Sequence, residues 1–474
     1  MKKFFKAFAF IAGLILFLSA CDEYNELTAP DPVDSGSADF SSFVTIGNSL
    51  TAGYQSGSLF QSAQQYSFGK LIADVMRITF AQPLVADPGT GGRFEVESLD
   101  PFTLYTNPGQ GAPLNLNHPA PYNNLGVPGA FVYDVLNATN STDNFTNVFA
   151  GVPNPMFDLI LRNSALNIGT QLEQAAALSP TLITLWIGNN DVLGFATSGG
   201  TSPDAPTDVP TFTALFGGIG ATLAALGADV VFGNIPDVAA IPFFTTVGPQ
   251  MYLGGVPGIV YQQHGEASAG TGQIDANGLL TGTVLITLRG SSYAGLIGQP
   301  SGRFYVDNGF PALPPGIDTT QAFGVHPQNP WPDALILDPG EINTATTAIA
   351  GYNGVIANVA TTNGFALVDI NAFFNGIRAN DPPLGNGTVI NGINFTTTFV
   401  TGGIFSLDGV HPTSQGQAII ANQFIATIND SFDANLPLID VSTIPGSINF
   451  TAKLGYDERG YAIFSRDAFD HLFF

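Results

Sequence analysis

The sequence predicts an α/β domain built on a parallel sheet, and three observations carry that expectation. Short apolar, β-branched runs recur along the chain, at residues 43–47, 181–187, 228–235 and 365–370. Between them stand longer stretches with apolar residues at helical spacing, and strands that alternate with helices form parallel sheets through right-handed crossovers. Two of the runs end abruptly in glycine followed by polar residues, as strands do when their C-terminal tips line the crevice of an open sheet.

The first run stops at Gly47 and hands over to Asn48-Ser49-Leu50, so a strand tip presents Ser49. Residues 66–80 carry Phe68, Leu71, Ile72, Val75 and Met76 at helical spacing. Residues 82–122, rich in Pro, Gly, Asn and Thr, are expected as a long surface excursion, and residues 122–130 as a short glycine-rich turn before an apolar pattern at 131–136. The strand at 181–187 ends in Gly188-Asn189-Asn190-Asp191. A helix over 211–226 follows from Phe212, Leu215, Ile219, Leu223 and Leu226, and the strand at 228–235 is closed by Pro236. Residues 243–337 break the rhythm with many glycines and prolines. They are expected as an insertion that caps the site, with short hairpins near 282–288. Ile342, Ile349, Tyr352, Ile356 and Val359 then predict a helix stopped at Gly364. After the strand at 365–370, Thr413 caps a last helix with Ile420, Phe424 and Ile428 at i, i+4 and i+8.

The chain has 474 residues, long enough for one large α/β domain with insertions, and its 55 glycines and 33 prolines make it loop-rich. A formal net charge of −24 excludes nucleic acid as a partner, because phosphate binding needs a basic face. Lys2, Lys3 and Lys6, an apolar stretch at 7–18 and then Leu18-Ser19-Ala20-Cys21 resemble the lipobox of bacterial lipoproteins. That resemblance implies a signal peptide over 1–20, a lipidated Cys21 and a membrane-anchored protein of the bacterial cell envelope, in the periplasm, at the outer membrane or on the cell surface. Cys21 is the only cysteine, so there is no intramolecular disulfide. Residues 21–40, polar and acidic, are expected as a flexible tether, 41–440 as the folded domain and 441–474 as a tail without helical rhythm. No apolar run after the leader is expected to reach spanning length.

A presented serine needs a base, a group to orient that base, and donors for a developing oxyanion. Ser406-Leu407-Asp408-Gly409-Val410-His411-Pro412 supplies the first two, since one turn around Gly409 places the Asp408 carboxylate beside the His411 imidazole. The chain contains its own control: Gly324-Val325-His326-Pro327 repeats the string, but Phe323 stands where the aspartate would be. His118, His264 and His471 also lack an acid at that spacing or lie near the ragged C-terminus, and the scattered histidines argue against a zinc site. Gly129, Asn190 and the amide of Ser49 itself are the candidate oxyanion donors.

Gly47-Asn48-Ser49-Leu50, residues 124–129, 188–191 and Asp408-Gly409-Val410-His411-Pro412 resemble, in order, the four sequence blocks of the SGNH (GDSL) hydrolase family. The resemblance implies a flavodoxin-like three-layer α/β/α sandwich with a central parallel sheet and large loop insertions. It implies a serine esterase or lipase without metal or organic cofactor. Ser49 would be the nucleophile, Ser49, Gly129 and Asn190 the oxyanion hole, His411 the base and Asp408 its orienter. The chain departs from the pattern at Asn48, where the family carries aspartate, which bears on the stability of the turn. There is no Gly-x-Ser-x-Gly elbow, which disfavours the α/β-hydrolase fold. The ester is left open between a lipid and an acylated carbohydrate. The alternatives are a carbohydrate O-acetylesterase, a thioesterase, a lysophospholipase, or a catalytically silent binding lipoprotein on the same fold.

Overall fold

The computed structural model describes residues 33–99, 102–202, 206–263 and 270–446. The chain divides into two units, Met1–Asp34 and Ser35–Phe474, and the description below concerns the second. The leader with Cys21, most of the expected tether, His264, His471 and residues 447–474 lie outside the described residues.

Five strands make the central sheet: β1 (Phe43–Gly47), β2 (Asn124–Gly126), β3 (Leu182–Trp186), β4 (Asp229–Gly233) and β5 (Ala366–Val368). All neighbours pair in parallel, in the spatial order β5-β4-β3-β1-β2. From the β2 edge this is 2-1-3-4-5, the flavodoxin-like order, in which the winding reverses between β1 and β3. Every residue of β1 and β3 is buried, which is why these strands read as continuous apolar runs and not as alternating ones.

Nine helices position the site: α1 (Ser49–Ala52), α2 (Phe68–Met76), α3 (Val132–Asn137), α4 (Gln171–Ala177), α5 (Asn190–Thr197), α6 (Val209–Leu226), α7 (Pro339–Asn363), α8 (Ile370–Arg378) and α9 (Ser414–Phe432). On one side of the sheet α2 packs on α9, where Phe68 stacks on Phe424 at 4.9 Å and meets Trp186 of β3 edge-on at 5.8 Å. On the other, α6 packs against α3, α4 and α7, with Phe212 stacked on Tyr352 at 4.0 Å. The glycines inside α6 have a use here: a Cβ at Gly220 would stand 2.3 Å from Val359 Cγ1 of α7. The three-layer α/β/α sandwich expected from the sequence is thus the observed architecture.

Several boundaries differ from expectation. The segment expected as a turn at 122–130 contains β2, whose three residues are too few to show a period and are identified only by pairing with Thr45, Ile46 and Gly47. The excursion at 82–122 carries an antiparallel hairpin, Arg93–Leu99 with Phe102–Asn107. Near 282–288 the strand Leu285–Ile286 pairs with the distant Ile336–Leu337 and closes the base of the insertion. The insertion's own hairpin lies earlier, at Gly258–Gln262 and Thr271–Asp275. The insertion has a core of its own around Tyr261, Ile286, Phe304, Phe323 and Trp331. At the N-terminus the expected tether is too long, because Ala38 and Phe40 are buried and Ser37 N donates to Phe432 O at 2.7 Å. At the other end Val441 is buried, and Asn429 and Asn422 hold the backbone of Leu436 and Ile439, so the fold continues past 440. Contrary to expectation, α6 is long and apolar enough to cross a membrane by length and composition, yet Phe212, Phe216, Ile219 and Leu223 are buried within the domain.

Candidate active site

The winding reversal opens a crevice at the C-terminal tips of β1 and β3, and the sequence-predicted residues gather there. Ser49 is the first residue of α1, directly beyond β1, so its own amide belongs to a first helical turn without intrahelical partners. Asn48 caps that turn: Oδ1 accepts from Leu50 N at 3.0 Å, and Nδ2 donates to Asn189 Oδ1 at 3.1 Å. The departure from aspartate therefore adds a donor that ties the Ser49 turn to the tip of β3.

His411 Nε2 lies 2.9 Å from Ser49 Oγ, and His411 Nδ1 lies 2.9 Å from Asp408 Oδ2. An ionised carboxylate only accepts, so Nδ1 carries the hydrogen and Nε2 is left to accept from the serine hydroxyl. Asp408 is held from all sides. Its Oδ2 also accepts from Gly57 N at 2.9 Å, and its Oδ1 from His411 N at 2.8 Å, Val410 N at 2.9 Å and Ser406 Oγ at 3.1 Å. Burial alone would raise this carboxyl, but the facing His411, with the amides of His411 and Val410, outweighs it and holds it down at about 2.

Residues that sequence reasoning missed lock this arrangement. Ser56 N donates to Ser406 Oγ at 2.9 Å and Leu407 N donates to Ser56 Oγ at 3.3 Å, clamping the turn after α1 to the Asp408 loop. The hairpin of the 82–122 excursion supports the same turn, through Phe94 N donating to Ser56 O at 2.7 Å. No local pattern marks these contacts: Ser56 is 350 positions from Ser406 and 351 from Leu407. The ring of Tyr54 leans on His411 at 4.8 Å, and burial, helped by the Asp408 charge, pushes its hydroxyl well above the usual range.

Gly129 and Asn190 stand at the tips of β2 and β3. Gly129 has φ 83°, a conformation that favours glycine, and a Cβ there would lie 2.8 Å from Asn154 Nδ2, which donates to Pro128 O. Asn190 Nδ2 donates to Ala130 O at 2.8 Å, which joins the two candidate donors in one bonded unit and leaves its second hydrogen available. Behind them, Val132 N donates to the buried Asp191 Oδ2 at 3.0 Å, and Phe131 N donates to Asp134 Oδ2 at 2.8 Å. Burial is the main reason that both carboxyls are raised, each to about 7.

A narrow slot opens from Ser49 and His411. Its lining comes from the tips of β1, β3 and β4, from α8 and α9 and from the segment before α9, and among the described residues none of 243–337 takes part. The insertion expected as a cap instead braces the Asp408–His411 turn from outside. Phe243 N donates to Gly409 O at 3.0 Å, and a Cβ at Gly409 would meet Leu288 Cδ1 at 2.6 Å.

Of the other histidines, His326 accepts from Gln328 N at 3.2 Å in a local turn of the insertion, where Phe323 is buried in the core. His118 stacks on Tyr122 at 5.7 Å, and burial, then the Arg162 charge, lowers its pKa. Among the described residues no group of three or more His, Cys, Asp or Glu side chains is placed to hold a metal ion.

No family model and no curated protein matches the chain. Solved structures do. An acetylxylan esterase from Geobacillus stearothermophilus aligns at 11% identity and a TM-score of 0.32, over 83% of this chain and 96% of that one. A lipase/acylhydrolase from Enterococcus faecalis aligns at 11% identity and a TM-score of 0.31, over 84% and 100%. An extracellular lipase from Streptomyces rimosus aligns at 14% identity and a TM-score of 0.28, over 82% and 99%. The assignment of the fold rests on the strand order described above.

Proposed function

We propose that this chain is a hydrolase of carboxylic esters of the SGNH type, in which Ser49 is the nucleophile of an acyl-enzyme mechanism. The observation that carries the proposal is the relay Ser49 Oγ, His411, Asp408, with both links at 2.9 Å, seated where the winding of the sheet reverses. Ser49 Oγ attacks the ester carbonyl as its proton passes to His411 Nε2, and Asp408 stabilises the imidazolium. Such general-base assistance contributes roughly 10²–10⁴ in rate. The carbonyl oxygen, now negative, is held by Ser49 N, Gly129 N and Asn190 Nδ2, donors whose individual loss costs about 2.7–4 kcal/mol in related chemistry. Collapse breaks the bond to the alcohol, which leaves with the proton from His411. Water then enters, gives its proton to His411 and releases the acid.

Hydrolysis of p-nitrophenyl butyrate by wild type and Ser49→Ala tests this reading. Loss of turnover in the variant with an unchanged thermal melt is the expected result, and equal rates would overturn it. We further propose that Cys21 is lipidated and anchors the protein in the cell envelope, each buried methylene of an acyl chain adding ~0.8 kcal/mol of membrane affinity. Incorporation of labelled palmitate in cells, lost in Cys21→Ser, is the expected outcome, and labelling that survives the substitution would refute it.

A further inference from the structure

The slot beside Ser49 deepens the ester-hydrolase reading, on which this inference rests, by its chemistry. Among the described residues its polar lining is confined to Asn48, Ser49, Asn189, Asn190 and His411, all at the reacting end, and no Asp, Glu, Lys or Arg lines it. Away from that end the walls are apolar. The helix α8 contributes Ile370, Phe373, Phe374 and Ile377, positions i, i+3, i+4 and i+7 on one face. Phe405, also in the lining, meets Phe374 edge-on at 5.5 Å. Trp186 adds only its ring, because its indole N–H is already given to Asn234 O at 3.0 Å. A sugar ring would leave its hydroxyls without partners here, at about 1–3 kcal/mol for each buried group left unpaired.

The lining also has a direction. Beyond Ser49 it passes from the tip of β3 to the segment after β4 and then to α8, which follows β5. It therefore leads away from Gly129, which follows the β2 edge. Inner residues such as Val238, Ile241, Ile370 and Ile419 are buried, whereas Leu50, Leu193, Phe373 and Ile420 at its rim are half-exposed. A slot lined by apolar side chains beyond Ser49 suits the half of the ester that stays bonded to the enzyme, while the alcohol has to leave.

We propose that this slot binds the acyl chain, and that the substrates are esters of medium-length fatty acids, with the apolar face of α8 as the specificity wall. Seven residue steps from Ile370 to Ile377 at 1.5 Å each give a wall of about 10 Å, enough for a chain on the order of eight carbons.

The experiment measures kcat/KM for p-nitrophenyl acetate, butyrate, octanoate and palmitate, and for the pair ethyl octanoate and octyl acetate. The expected result is a rise of up to about fourfold per added acyl methylene, the fold-change that ~0.8 kcal/mol gives, levelling near octanoate. Ethyl octanoate should exceed octyl acetate. Ile420→Trp, which narrows the rim, should lower the octanoate-to-acetate ratio at least tenfold, with the thermal melt as a check on folding. Octanoate should also bind Ser49→Ala saturably in calorimetry, and more weakly when Ile420→Trp is added. Ser49-dependent hydrolysis that favours acetate, or octyl acetate over ethyl octanoate, would overturn the inference and leave the hydrolase reading standing. If no ester is hydrolysed, the hydrolase reading falls. Octanoate binding then decides the slot by itself, and its absence removes the inference as well.

Discussion

Asp408→Asn isolates the orienting role of the carboxylate, because it changes almost nothing in shape. Three donors, Ser406 Oγ, Val410 N and His411 N, converge on Oδ1 and will retain the amide oxygen there. The new NH₂ then occupies the place of Oδ2, where it faces two donors, Gly57 N and His411 Nδ1. Gly57 N loses its acceptor, at about 1–3 kcal/mol for a buried group. His411 escapes the donor–donor clash by moving its hydrogen to Nε2. The imidazole then donates to Ser49 Oγ and can no longer take its proton. In the Ser-His-Asp template that inversion lowers kcat by about 10⁴, or roughly 5.5 kcal/mol of barrier. Asp408 does not line the slot, so KM should stay within a few-fold of wild type. Steady-state kinetics on p-nitrophenyl butyrate, with thermal melts to register the Gly57 penalty, measure both effects. A variant that keeps kcat within tenfold of wild type would refute the tautomer argument.

Gly129→Ala must bear a φ of 83° and displace Asn154 Nδ2 from 2.8 Å, so kcat should fall on the order of 10²-fold with a loss of about 1–3 kcal/mol in stability, read from kinetics and urea titration. Asn48→Asp keeps the cap on Leu50 N, and rotation of the Asn189 amide can restore the other bond, so melts should move by less than about 1 kcal/mol and kcat by no more than about threefold. Asn48→Ala removes the cap and should cost about 1–2 kcal/mol. The buried Asp134 and Asp191 carboxyls, raised to about 7, hold protons that the unfolded chain has already released above about 4. Their contribution to stability therefore falls as pH rises from about 4 to 7, and Asp134→Asn should flatten that slope in denaturant titrations. Asp408 acts with the opposite sign: held at about 2, it stabilises the fold above about 4, and that contribution is lost as pH drops towards 2.

What could be read from the sequence was whatever had a local signature. β1 and β3 are buried on both faces, so their composition betrays them without any partner in view. The pairing of Asp408 with His411 is equally local, three positions around a glycine, and the Phe323 counterpart showed what the string means without its acid. β2 has no such signature, since Asn124-Leu125-Gly126 becomes a strand only by lying beside Thr45, Ile46 and Gly47. The clamp of Ser56 and Gly57 on the Asp408 loop is a product of tertiary structure alone. α8 is a different case. Asp369 caps it by accepting from Ala372 N at 2.9 Å, and Ile370, Phe373, Phe374 and Ile377 have the spacing of an amphipathic helix, so the signal was present. The strand expected at 365–370 overran its end at Val368 and took in Ile370, the first residue of the helix. The same helix stands along the slot where the described part of the insertion does not. The slot beside Ser49 is walled by α8, Phe405 and α9, and residues 243–337 fold around their own core and press on Gly409 from outside. Their influence on chemistry must then pass through the backbone of the Asp408–His411 turn, which a change in kcat at constant chain-length preference would distinguish from any role in closing over substrate.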